Sequence, residues 1–322
     1  MPHVRLLSDA PMQLSTSFTG DLAARPPAAS ARRFAARIGG VSLGISSASA
    51  EMILVPDAGL HEFLVADALC EMEFEAAWSE SFGPPPGELV FESGGLWQLF
   101  QDGEGYCFRF TTSYLGARPY KQARVSRNFR RGRVELAREY FPADRGVNPL
   151  EYPLDELLWI HRLAQGSGVE LHGCGVITPA GRGLLLCGHS GAGKSTSARL
   201  WAGMNGARVL SDDRIILRRE TSGRFTMHGT PWHGDAGVAE AASWPLDAIF
   251  ILSHAPRNCL QPMGTVPATA ELFARSFVPH HSADSLSFLL NFFAELTRSV
   301  PCSQFEFVPD ISAVEALLRE AF

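Results

Sequence analysis

The chain has 322 residues, 46% of them hydrophobic and 19% charged, with 28 Lys plus Arg against 34 Asp plus Glu and a net charge of −6. That length suits two domains with cores of ordinary size, and that composition excludes a largely disordered chain. The acid excess excludes a protein built around a broad basic face, so no nucleic-acid partner is expected.

Residues 1–33 show little periodicity and include an Ala/Pro-rich stretch at 23–29, so a loosely ordered lead-in is expected. Residues 34–150 read as a mainly antiparallel β module. Alternation at 41–45 marks one strand. Residues 96–100 and 106–111 flank a Gly-containing hairpin loop, and 125–129 and 134–141 flank a second around Arg130, Arg131 and Gly132. Residues 151–322 form the second expected domain. Pro153 suits a first helical turn, Leu154, Leu157, Leu158 and His161 keep helical spacing, and Gly166 can end the helix. Short β segments at 169–172 and 175–178, a turn at 179–183 and a buried strand at 184–187 follow. The spacing of Leu286, Leu289, Leu290, Phe293 and Leu296 predicts an amphipathic helix over 284–299.

The six cysteines contain no C-x-x-C pair, which argues for reduced thiols and a cytoplasmic protein. No apolar run reaches the ~20 residues of a membrane helix, so no membrane association is expected.

The strongest motif is Gly188, His189, Ser190, Gly191, Ala192, Gly193, Lys194, Ser195, which fits G-x-x-x-x-G-K-[ST] at every position. A buried strand ends at Cys187 and a helical run begins at Thr196. Glycines at these positions let backbone N–H groups turn inward around phosphate oxygens, and the helix N-terminus favours an anion. Lys194 supplies a charge to the outer phosphates, and the Ser195 hydroxyl suits Mg²⁺. Residues 188–196 are therefore the candidate ATP-binding segment. One helix and one turn later, the strand 208–210 ends in Asp212, Asp213 and Arg214. Carboxylates at a strand end near a triphosphate can hold Mg²⁺ or take the proton of an attacking hydroxyl. Side chains of neighbouring strand residues point in opposite directions, so unequal roles are expected for the two acids.

These features together resemble the HPr kinase/phosphorylase family, whose nucleotide core is related to ATP-dependent phosphoenolpyruvate carboxykinase. The resemblance covers about residues 169–320. It rests on His172-Gly173, on the Gly181-to-Ser195 run, on Asp212-Asp213-Arg214, and on the late segment 305–310 with its closing helix. The tail looks like that of HPr-kinase-related proteins from bacterial peptide-modification clusters. The resemblance implies an α/β P-loop kinase domain using ATP and Mg²⁺. Asp213 would be the general base, Asp212 and Ser195 would hold the metal, and His172 would modulate charge at the acceptor phosphate. It implies a Ser/Thr hydroxyl of a peptide or protein as acceptor, such as a biosynthetic precursor peptide, and it leaves room for a homo-oligomer. A small-metabolite kinase and a nucleotide-binding regulatory protein without phosphotransfer are the alternatives. Thr196 stands where true HPr kinases carry Glu, and the family's Glu-x-Arg-Gly signature is absent, so HPr itself and the reverse phosphorolysis are not implied.

His228, His233 and Asp235 lack the spacing of a helical metal motif and lie in a Gly/Pro-rich stretch, which reads as a substrate-facing loop. Trp232 in that loop would either cover the site or anchor the loop in the core.

Overall fold

The computed structural model describes residues 32–66, 69–113, 115–142 and 145–320. The lead-in expected over 1–33 lies outside the described residues except for its last two, and Arg33 already opens a strand. The architecture is mixed α/β, dominated by two large sheets.

The first sheet has eight strands: β1 (Arg33–Ile38), β2 (Val41–Ser47), β3 (Met72–Ser79), β4 (Glu88–Glu92), β5 (Trp97–Gln101), β6 (Gly105–Thr112), β7 (Gly116–Ser126) and β8 (Arg131–Ala137). Their order is β1-β2-β3-β8-β7-β6-β5-β4. The β2–β3 and β3–β8 pairs are parallel and the other neighbours antiparallel. The second hairpin turns earlier than the sequence suggests. Phe129 is not in a strand but in the turn, with φ of 54°, because its buried ring stacks on Tyr106 and on the His161 imidazole instead of following the strand pleat.

The second sheet has ten strands: β9 (Val169–Ile177), β10 (Gly183–Cys187), β11 (Arg208–Ser211), β12 (Arg214–Arg219), β13 (Phe225–Gly229), β14 (Ser243–Pro245), β15 (Ala248–His254), β16 (Cys259–Pro262), β17 (Ser276–Phe277) and β18 (Cys302–Phe307). Strand β9 is the pivot. Its first half pairs with β12 and β17, its second with β10 and β11. The two short segments expected here are thus one strand, since Gly173 stays extended and pairs with Cys187.

Among the described residues, five α-helices complete the fold: α1 (Leu154–Leu163), α2 (Lys194–Ala202), α3 (Thr265–Phe273), α4 (Ala283–Ser299) and α5 (Ile311–Glu320). Period-2 alternation along β10 divides the second core. Leu185 and Cys187 pack with Leu272, Leu289 and Phe293 of α3 and α4, while Leu184 and Leu186 pack with Ala198, Trp201, Val314 and Leu317 of α2 and α5. Ser282 caps α4, its hydroxyl accepting from Ser285 N at 3.2 Å. Helix α1 joins the two sheets. Its Trp159 is fully buried in the first core with Ile216 and Trp232, and the indole N–H donates to Ile38 O at 3.0 Å.

Candidate functional site

Strand β10 runs into the Gly-rich loop, and the loop runs into α2. Gly191 and Gly193 hold φ of 78° and 95°, a region open to glycine at little cost. A Cβ on Gly193 would meet Phe307 Cζ at 2.5 Å, so the loop also lies against β18. Lys194 is 5% exposed and folds back, its ammonium donating to Gly188 O and His189 O at 3.0 Å each. Burial pushes its pKa down, and the Asp213 carboxylate opposes that shift. Beside the loop, Arg275 donates to His189 Nε2 at 2.9 Å. The Arg275 charge, with burial, lowers the His189 pKa.

The β9–β12 register sets His172 opposite Arg214 and so beside Asp213. His172 Nε2 donates to Asp213 Oδ1 at 2.8 Å, while Arg214 Nη1 donates to Asp213 Oδ2. Burial alone would raise the Asp213 pKa, but the His172 hydrogen bond and the Arg214 charge outweigh it and hold the carboxyl below its ordinary value. Arg214 also donates from Nε to Glu156 Oε1 at 2.8 Å and lies 3.7 Å from Glu170 Oε1. Burial and the neighbouring Glu156 charge push the Glu170 pKa well up.

Asp212 faces elsewhere. It is fully buried, and its carboxylate accepts from Gly234 N at 3.0 Å, Ala236 N at 2.8 Å and Val238 N at 3.3 Å. It pins the loop after Trp232 rather than lining the cleft in front of the Gly-rich loop.

That cleft has a volume of about 390 Å³. Of the residues singled out from the sequence it brings together His172, Ser190, Gly191, Gly193, Lys194, Ser195, Thr196 and Asp213. Asp212 is not among its walls, and the loop that Asp212 pins contributes Gly234 and Asp235 instead. Arg199 and His254, for which the sequence offered no motif, line it as well. Arg199 stands one turn along α2 from Ser195, which helical periodicity alone places on the cleft side.

A second cavity, about 320 Å³, adjoins the first and shares Asp213 with it. Trp232 is one of its walls and also an anchor, with its indole N–H donating to Asp155 Oδ2 at 2.9 Å. Burial drives the Asp155 pKa up to about 7, against the Trp232 hydrogen bond. His233 lines this cavity, Asp235 lines the first cleft, and His228 sits on β13, so the three residues weighed as a metal motif are divided among separate places.

No protein-family model matches the chain. No curated protein matches it either. Among solved structures, the chain is similar to the Hpr(Ser) kinase/phosphatase from Coxiella burnetii, at 15% identity and a TM-score of 0.28, covering 47% of this chain and 95% of that one. A TM-score of that size does not establish a shared fold. Among the described residues, no helix is long and apolar enough to cross a membrane.

Proposed function

We propose that this protein is an ATP- and Mg²⁺-dependent phosphotransferase of the HPr-kinase-like type, which moves the γ-phosphoryl group to a Ser or Thr hydroxyl of a peptide or protein. The observation that carries the reading is the juxtaposition, in one cleft, of a complete P-loop with the low-pKa carboxylate of Asp213. Loop amides and Lys194 suit the phosphates. Mg²⁺ takes hard oxygen donors, and the Ser195 hydroxyl and the Asp235 carboxylate both line this cleft, so the donor set fits. The ion, when bound, neutralises charge on the phosphate oxygens. The metal-facing role that the resemblance implied for Asp212 passes to Asp235, because the Asp212 carboxylate serves the loop backbone.

In transfer, the acceptor oxygen bonds to the γ-phosphorus and the bond from that phosphorus to the β,γ-bridging oxygen breaks. The nucleoside diphosphate leaves with the electron pair, and the hydroxyl proton goes to Asp213. A base with a lowered pKa is a weak one, which suits a loose transition state in which the hydroxyl loses its proton late. His172 and Arg214 fix the orientation of Asp213. Arg214 is itself held by Glu156 and Glu170, so the base rests on a network spanning α1, β9 and β12.

Calorimetric titration with MgATP tests the nucleotide site. Wild-type protein should bind, and Lys194→Ala should bind at least tenfold more weakly while keeping its fold. Equal affinities would remove the P-loop assignment.

A further inference from the structure

We infer that the 320 Å³ cavity on the other side of Asp213 is the acceptor site, and that it selects a hydroxyl side chain with a cationic residue beside it; this rests on the phosphotransfer reading above.

A general base must touch the acceptor hydroxyl while that hydroxyl faces the phosphoryl group. Asp213 is the residue that lines both cavities in addition to holding the His172 and Arg214 contacts. A group entering the second cavity therefore reaches Asp213 without crossing the phosphate side.

Ligand pockets run from ~300 to ~1,000 Å³, so this one takes one or two side chains. Its walls come from segments far apart in sequence: Asp57, Gly59 and Leu60 follow the second strand of the first sheet, Tyr152 and Asp155 stand at the start of α1, and residues 231–233 follow β13. The segment that connects the second and third strands of the first sheet thus supplies part of the acceptor wall, a role the sequence did not announce.

Asp57, Asp155 and Asp213 line the cavity with Arg214 and His233, but Asp155 is buried against the Trp232 indole and Asp213 is held by His172 and Arg214, so Asp57 is the carboxylate open to an incoming cation. The guanidinium of Arg214 is already committed to Glu156, Glu170 and Asp213. Lys121 interacts with Asp57 and Asp155 through space, yet its ammonium is fully buried and donates to Glu151 O at 2.8 Å. Asp57 is solvent-exposed, and one of its oxygens accepts from Asn148 Nδ2 at 2.7 Å. The Tyr152 and Trp232 side chains complete the walls, and aromatic faces attract cations.

The test uses a positional-scanning library of Ser and Thr peptides, with Lys, Arg, Glu or a neutral residue on either side of the acceptor, and γ-labelled MgATP. Wild-type protein should label peptides with a flanking Lys or Arg about fivefold more efficiently in kcat/KM than neutral ones, the ratio that one partly exposed ion pair supplies. Asp57→Asn, which keeps the Asn148 contact, should erase that preference through KM, and Asp57→Lys should reverse it towards Glu. Wild-type indifference to flanking charge, or a basic preference unchanged in Asp57→Asn, would overturn the inference. MgATP binding is titrated in parallel. If MgATP binds and no peptide is labelled, the acceptor assignment falls while the nucleotide site stands. If MgATP does not bind, the phosphotransfer reading falls and takes the acceptor site with it.

Discussion

Asp212 and Asp213 are neighbours with opposite surroundings. Asp213 is half-buried between a histidine and an arginine at the junction of two cavities. Asp212 is fully buried and accepts three backbone N–H groups of the 234–238 loop. Strand geometry foretold that the two would differ. It did not foretell where Asp212 points, because its partners lie more than twenty residues further along the chain in a loop without periodicity. An Asn at 212 keeps one acceptor oxygen and sets an NH₂ against a backbone N–H. Leaving a buried donor unpaired costs about 1–3 kcal/mol. Asp212→Asn should therefore lower the free energy of unfolding in urea by about that amount, and Mn²⁺ in place of Mg²⁺ should not restore any lost activity. Wild-type stability together with a defect repaired by Mn²⁺ would return Asp212 to the metal.

At the scale of elements, the parts of the site written in consecutive residues were legible. The β10–loop–α2 unit, with its glycines and Lys194, and helix α1 both follow local periodicity and turn chemistry. Elements set by long-range pairing were not. Strand β9 runs unbroken through Gly173 because four partner strands share it. The Glu156–Arg214–Glu170 network joins three elements that no local pattern connects. The Gly-rich loop itself gives a test at this scale. Gly193 combines φ of 95° with a Cβ direction ending 2.5 Å from the Phe307 ring. Gly193→Ala should cost about 1–3 kcal/mol of stability from backbone strain, and MgATP affinity should fall with it. Unchanged thermal unfolding and affinity would show that the loop relaxes freely away from β18.

At the scale of the whole molecule, α1 ties the ten-stranded sheet to the eight-stranded one, and it carries a pH-sensitive residue in the joint. His161 is 5% exposed against Phe108 and Phe129, and burial, helped by the His281 charge, lowers its pKa from 6.5 to about 3. A depressed histidine stabilises the fold fully above its unfolded pKa, and that contribution is lost as pH falls towards the folded value. Between about pH 6.5 and 3, stability should thus decline by up to ~1.4 kcal/mol per pH unit from this group. In His161→Leu, melting temperature measured from pH 7 to 4 should fall less steeply than in wild type, and parallel curves would refute the assignment. Under the proposed function the joint matters because Asp57 and Leu60 line the same cavity as Asp213. In the proposed reaction Asp213 receives the acceptor proton during phosphoryl transfer. The most direct test is label transfer from γ-labelled MgATP to Ser/Thr peptides by wild type and by Asp213→Asn at matched nucleotide saturation. The wild type should label peptide, while Asp213→Asn should bind MgATP nearly normally and transfer at least ~10²-fold more slowly, the scale of a lost general base. Transfer by Asp213→Asn at the wild-type rate would contradict that role.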